Sequence, residues 1–193
     1  MTAAAIARRI APGEVLRGAR VSLRLVTLED CTARYESWLA DPIVNQYLET
    51  RWRPQPLESI REFVAGMVDS SDSYLFAILE NESGRHVGNI KVGPIVWNHL
   101  YADVSYFIGE RSCWGKGYAS EAIRLATGFG FQRLGLHRLQ AGLYASNGGS
   151  GKALQKAGYR HEAVFKGQLK NAAGAWEDHH WFAVLKDDWR NDQ

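Results

Sequence analysis

The stretch DVSYFIGERSCWGKGYASEAIRLA, Asp103 to Ala126, decides the fold. Asp103 to Gly109 reads as a strand, Trp114 to Gly117 as a short glycine-bearing loop, and a helix is expected from about Tyr118. A helix start presents backbone N–H groups with no intrahelical partner, and the dipole adds partial positive charge there. Such a loop is shaped to hold an anion such as phosphate, and its glycines let the backbone come close to it. The expectation is an enzyme that holds a phosphorylated carrier.

Upstream of this stretch, Arg20 to Val26 alternates apolar and polar residues as a half-buried strand does. Thr27 with Asp30 gives a capping-box signal for a helix carrying Leu28, Cys31, Tyr35, Trp38 and Leu39 on one stripe. Glu49 to Pro56 reads as a loop, and Leu57, Ile60, Phe63, Val64, Met67 and Val68 recur at helical spacing. Tyr74 to Leu79 and His86 to Trp97 form a hairpin. Downstream come a strand from Leu136 to Tyr144, a short helix from Asn147 to Ala157 stopped by Gly158, and strands at Tyr159 to Phe165 and Trp176 to Leu185.

An apolar fraction of 46% and a net charge of +2 over 193 residues describe one ordinary globular domain. Lys and Arg are matched by Asp and Glu along most of the chain, so nucleic acid is not expected as a partner. No apolar run reaches the roughly 18 residues of a membrane helix, and the start lacks a continuous apolar core before a cleavage site. Cys31 and Cys113 make no disulfide framework, so a cytoplasmic location is expected. Residues 1–15 are expected as a flexible tail and 16–193 as a single domain.

Two other phosphate-binding patterns fail. SNGGSGKA, Ser146 to Ala153, has Ser in place of the first glycine of a nucleotide P-loop and Ala in place of its magnesium-binding hydroxyl. Gly115 and Gly117 are followed three residues on by Ser120, not by the third glycine of a dinucleotide fingerprint. His179 and His180 are adjacent and point to opposite faces of a strand, so no metal is expected.

WGKGYASEA resembles the pyrophosphate loop of the GNAT superfamily of acetyl-CoA-dependent N-acetyltransferases, with Trp114, Gly117 and Ala119 at its three marked places. Asn147, Ser150, Lys156, Gly158 and Tyr159 are similar to that family's second signature, an Asn-x-x-Ser helix ending in Lys-x-Gly-aromatic. The resemblance runs from about Arg20 to Trp189 and is nearest the RimJ/RimL-like branch, which often has Trp where the wider family has Gln or Arg.

The resemblance implies a mixed α/β fold, with a central, mostly antiparallel sheet of about six or seven strands and about four helices on its two faces. The sheet would splay between the strands at 103–109 and 136–144, leaving an edge on which pantetheine pairs like an added strand. It implies binding of acetyl-CoA, the acetyl donor, by Phe107, Ile108, Trp114, Gly115, Lys116, Gly117, Tyr118, Ala119, Ser120, Asn147 and Lys152. Catalytic roles are implied for Asp103 as base, for Ser150 as hydrogen-bond donor to the departing sulfur, and for Asn147, which doubles as a helix cap. The family often uses a tyrosine on this helix as acid, and none lies between Gly148 and Gly158.

Tyr47, Glu49, Arg51 and Trp52 lie where relatives shape the acceptor pocket. The expected acceptor is a small-molecule primary amine such as an amino sugar, with a protein N-terminus as the alternative and a homodimer as a possible assembly. A binding module that senses acyl-CoA without turnover is the reading from a different class.

Overall fold

A computed structural model describes residues 10–11 and 13–190. The strands are β1 (Val15–Arg17), β2 (Val21–Leu25), β3 (Tyr74–Glu80), β4 (His86–Val96), β5 (Tyr101–Ile108), β6 (Arg138–Tyr144), β7 (Arg160–Lys170) and β8 (Trp176–Leu185). The helices are α1 (Ala33–Ala40), α2 (Pro42–Asn45), α3 (Leu57–Val68), α4 (Tyr118–Gly128) and α5 (Gly148–Lys156). Among the described residues, eight strands form one sheet in the order β1-β2-β3-β4-β5-β6-β8-β7, antiparallel everywhere except between β5 and β6.

The sheet alternates its side chains between two cores, as period-2 geometry requires. Ile78, Ile90, Val104 and Leu139 face α4 and α5, where Ala122, Ile123 and Leu154 meet them. Leu75, Ala77 and Phe107 face α1 and α3, against Tyr35, Trp38, Ile60 and Val64. Fully burying one such Leu or Ile is worth about 1.5–3 kcal/mol, so both helical layers are held by apolar area.

Several expectations are corrected. The sheet has eight strands, because β1, three residues long, is too short to show alternation. Of the tail expected at residues 1–15, residues 1–9 and 12 lie outside the described residues. Within the rest, Ile10 is 1% exposed and packs in the core, and Val15 opens β1. The first helix is broken: the Thr27 and Asp30 box caps a 3-10 turn, Leu28–Asp30, and α1 begins only at Ala33 with its own cap, Thr32. β7 extends to Lys170 rather than Phe165 because a large bulge absorbs its polar middle.

The expected splay is present. β5 and β6 pair only over Tyr101–Asp103 with Arg138–Gln140, and beyond Asp103 and Gln140 their facing edges diverge.

Candidate active site

The anion-ready loop forms as its residues dictate. Gly115 and Gly117 have φ of 74° and 80°, a left-handed backbone that side chains resist, and Gly117 is the N-cap of α4 with no side chain capping the helix. The N–H groups of the first turn therefore stand without an intrahelical acceptor. Arg20, which the sequence reading gave no role in the site, braces the loop. Its guanidinium donates to the Lys116 carbonyl at 2.9 Å and pairs with Glu121 at 3.3 Å. It brings positive charge to the helix start.

The side chains of the expected loop residues mostly serve the fold. The Trp114 indole donates to the Ile108 carbonyl at 2.8 Å. The Tyr118 hydroxyl is buried and donates to Glu80 Oε1 at 2.9 Å, while Ala119 and Ser120 sit in the first turn. Lys116 reaches toward the Tyr118 ring, 6.0 Å from its centroid. Phe107 packs against Tyr35 and Trp38, and Ile108 packs on the α4 side. Lys152 is exposed on α5.

On the α5 side, the Asn147 side-chain Oδ1 caps α5 by accepting from the Ser150 N–H at 3.2 Å. Ser150 Oγ lies 2.6 Å from the hydroxyl of Tyr106 on β5. Burial pushes the Tyr106 hydroxyl up to about 12, so it stays protonated at any physiological pH. Sequence reasoning missed Tyr106. It alternates with Val104 and Ile108 and so reads as core, and its partner lies 44 residues away.

On the other face of the sheet, the four expected acceptor residues converge on Tyr144, at the end of β6. Tyr144 donates to Glu49 Oε1 at 2.5 Å and accepts from Arg51 at 2.7 Å. The Arg51 guanidinium stacks 4.2 Å from the Trp52 ring and 4.9 Å from that of Tyr144, and it donates to the Lys170 carbonyl at 2.6 Å. Tyr47 donates to the Ser146 carbonyl at 3.2 Å and packs against Tyr144. The Arg51 side chain is 5% exposed whereas that of Glu49 is 70% exposed, so of this pair it is the carboxylate that meets solvent.

Asp103 shares this face and stands where β5 and β6 part. Its Oδ1 accepts from Gln140 Nε2 at 2.9 Å. Among the described residues no cluster of His, Cys, Asp and Glu is arranged to hold a metal, and no helix is long and apolar enough to cross a membrane.

The comparisons with known proteins agree with this geometry. A family model described as an acetyltransferase (GNAT) domain matches residues 20–160. The chain is 34% identical over 122 residues to the Probable N-acetyltransferase YjcK of Bacillus subtilis, covering 63% of this chain and 66% of that one. It is 29% identical over 179 residues to an uncharacterized N-acetyltransferase, p20, of Bacillus licheniformis, covering 90% and 97%. The solved structure of Mycobacterium smegmatis RimJ in complex with CoA-disulfide superposes with a TM-score of 0.77 at 25% identity, covering 93% of this chain and 87% of that one.

Proposed function

The chain belongs to the GNAT acetyltransferases, and on that premise we propose that it moves acetyl from acetyl-CoA to a primary amine of a small molecule such as an amino sugar. One observation carries this reading. The gap between β5 and β6 has the uncapped start of α4 beside one strand and the exposed Glu49 carboxylate on the acceptor face of the other.

The residues present fit coenzyme A. The N–H groups from Gly115 to Ala119 and the Arg20 guanidinium suit its pyrophosphate, and the diverging edges of β5 and β6 suit its amide arm. Acetyl-CoA, when bound, supplies the activated acetyl group. Glu49 draws in the acceptor as an ammonium, and the exposed Trp52 offers a flat face to its carbon skeleton. Ser150, hydrogen-bonded to Tyr106, is the group to protonate the leaving thiolate, and Asn147 holds the helix start that presents it. Tyr106 thus supplies from β5 the phenol that α5 lacks, which removes the motive for a sensor without turnover.

A protein N-terminus is the second reading. It is favoured by Phe165, which is 48% exposed on β7 opposite His179 and extends the acceptor face beyond what a small amine needs. Both readings are tested by release of free CoA, followed with a thiol-reactive dye over a panel of amino sugars, polyamines and short peptides. Turnover with small amines supports the first reading, and turnover confined to peptides supports the second. Tight acetyl-CoA binding without turnover on any amine contradicts both.

A further inference from the structure

His179 on β8 has no part in the roles assigned above, yet it lies on the acceptor face. It pairs across β6 with Tyr144 and across β7 with Phe165, and directly opposed residues share a face. Its ring leans over Gly142, one side-chain step along β6 beyond Gln140, the last residue to pair with β5. A Cβ at position 142 would come within 2.2 Å of His179 Nε2, so only glycine lets the ring rest there. Nε2 is thereby aimed at β6 just past the point where the two strands separate. A groove of about 620 Å³ lined by Gln140, Phe165, Gln168, His179 and Trp181 opens beside it.

The other ring nitrogen is held. His179 Nδ1 lies 2.7 Å from Gln168 Oε1. An amide oxygen can only accept, so Nδ1 carries the hydrogen and Nε2 keeps a lone pair. Gln168 reaches this place through the bulge in β7. Between the pairs Phe165 with His179 and Leu169 with Glu177, three residues of β7 face a single residue, Asp178, of β8. The Asp178 carboxylate clamps that bulge, accepting from the Gly167 N–H at 2.9 Å and from Lys166 Nζ at 2.8 Å, and Gly167 takes the left-handed backbone it needs, with φ of 57°. Bulges beside active sites commonly re-aim one side chain, and here that side chain is Gln168.

We propose that His179 is the general base of the transfer, its Nε2 taking a proton from the acceptor ammonium, with Gln168 as the residue that positions it. This rests on the acetyl transfer to an amine proposed above. The nitrogen lone pair freed by that proton loss forms the bond to the acetyl carbon, the carbon–sulfur bond breaks with its electrons on sulfur, and the second proton shed by the new amide nitrogen reaches the thiolate through Ser150 or water, while His179 returns its own proton to solvent. Asp103, bound by Gln140 at the closed end of the gap, then orients the site rather than accepting the proton.

The charges around the ring suit a base that is neutral at neutral pH. Burial lowers its affinity for a proton, Glu49 from the loop after α2 opposes that, and His180 on the other face of β8 adds to it. The remaining nearby charges are paired: Lys166 with Asp178, Arg138 with Glu162, Arg51 with Tyr144 and Glu49, and Glu177 with Asn171 and the Ser146 N–H.

Two measurements test the assignment. In the ligand-free protein, two-bond ¹H–¹⁵N spectra, with the His179 signals identified by their loss in His179→Gln, are expected to show Nδ1 protonated and Nε2 bare, a preference that Gln168→Leu abolishes. In the reaction, kcat/KM of the wild type is expected to fall at acid pH through a limb below 6.5, the ordinary histidine value. His179→Gln should lose that limb and about 10²-fold in rate while acetyl-CoA affinity by calorimetry stays within about twofold. Gln168→Glu should move the limb upward.

A His179→Gln enzyme within about threefold of wild type with the same limb, or a proton found on Nε2, overturns the proposal. A wild type that turns over no amine fails the acetyl-transfer reading instead. The tautomer spectrum would then still accept or reject the free Nε2.

Discussion

At the scale of single residues, the site pairs each reacting group with a neighbour that fixes its protonation. Ser150 is a weak acid alone, but Tyr106 at 2.6 Å can share its hydrogen bond as charge develops on sulfur. Ser150→Ala is expected to lower kcat by about tenfold to a hundredfold with unchanged acetyl-CoA affinity, and Tyr106→Phe by less, measured in steady-state CoA release. Equal loss in acetyl-CoA affinity would reassign the pair to binding. Glu49 differs in kind, since its carboxylate stays largely in water and its proposed role is to attract an ammonium. Glu49→Gln should raise KM for a cationic amine by about tenfold and leave that for acetyl-CoA unchanged, as a lost charge-assisted contact to the acceptor would. That Glu49, Arg51 and Trp52 cluster together was expected from the resemblance, which places acceptor-pocket residues between the first two helices. The burial of Arg51 between Trp52 and Tyr144 was not, because it depends on a strand nearly a hundred residues later.

Among the elements, α4 carries the largest functional demand. Replacing Gly117 by Val puts a branched side chain on a backbone with φ of 80° and brings its Cβ within 3.2 Å of the Arg20 guanidinium. Acetyl-CoA affinity should fall by at least about tenfold in calorimetry, and unchanged affinity would remove the loop from the binding site. The same helix is tied to the sheet by Glu80. Its carboxylate accepts from Ser83 at 2.5 Å, from Arg85 at 2.9 Å and from Tyr118 at 2.9 Å, and these bonds hold its pKa down to about 2. A carboxylate depressed in the folded state stabilises it above the unfolded value of 4.5, and that contribution drains away as pH falls toward 2. Glu80→Gln should therefore flatten the acid limb of thermal stability between those values, and a parallel curve would contradict the assignment. α4 was legible in the sequence because its glycines, its start and its apolar spacing all agree. The β7 bulge was not, because three residues facing one break the alternation that marks a strand.

For the whole molecule, the decisive property is that one sheet keeps a single parallel pair among antiparallel neighbours. α4 carries the chain from β5 to β6 over one face, and the two strands share only three paired positions before they separate. That separation gives an extended amide chain an edge on which to lie. In the proposed reading the anion-ready helix start lies on the donor side, and Tyr144, Glu49 and His179 on the acceptor side. Donor and acceptor can thus approach the gap from different directions. The splay was legible through two signatures at the right separation, whereas the order of strands within the sheet was not. The acceptor face was not, since it is assembled from the loop after α2, the end of β6 and the β7–β8 hairpin, which only tertiary packing brings together. The most direct test supplies acetyl-CoA labelled in the acetyl group and follows the label across amines. Label recovered on the acceptor nitrogen with an equal amount of free CoA is the predicted result. Label left on CoA, or released as acetate with every amine, would contradict the account.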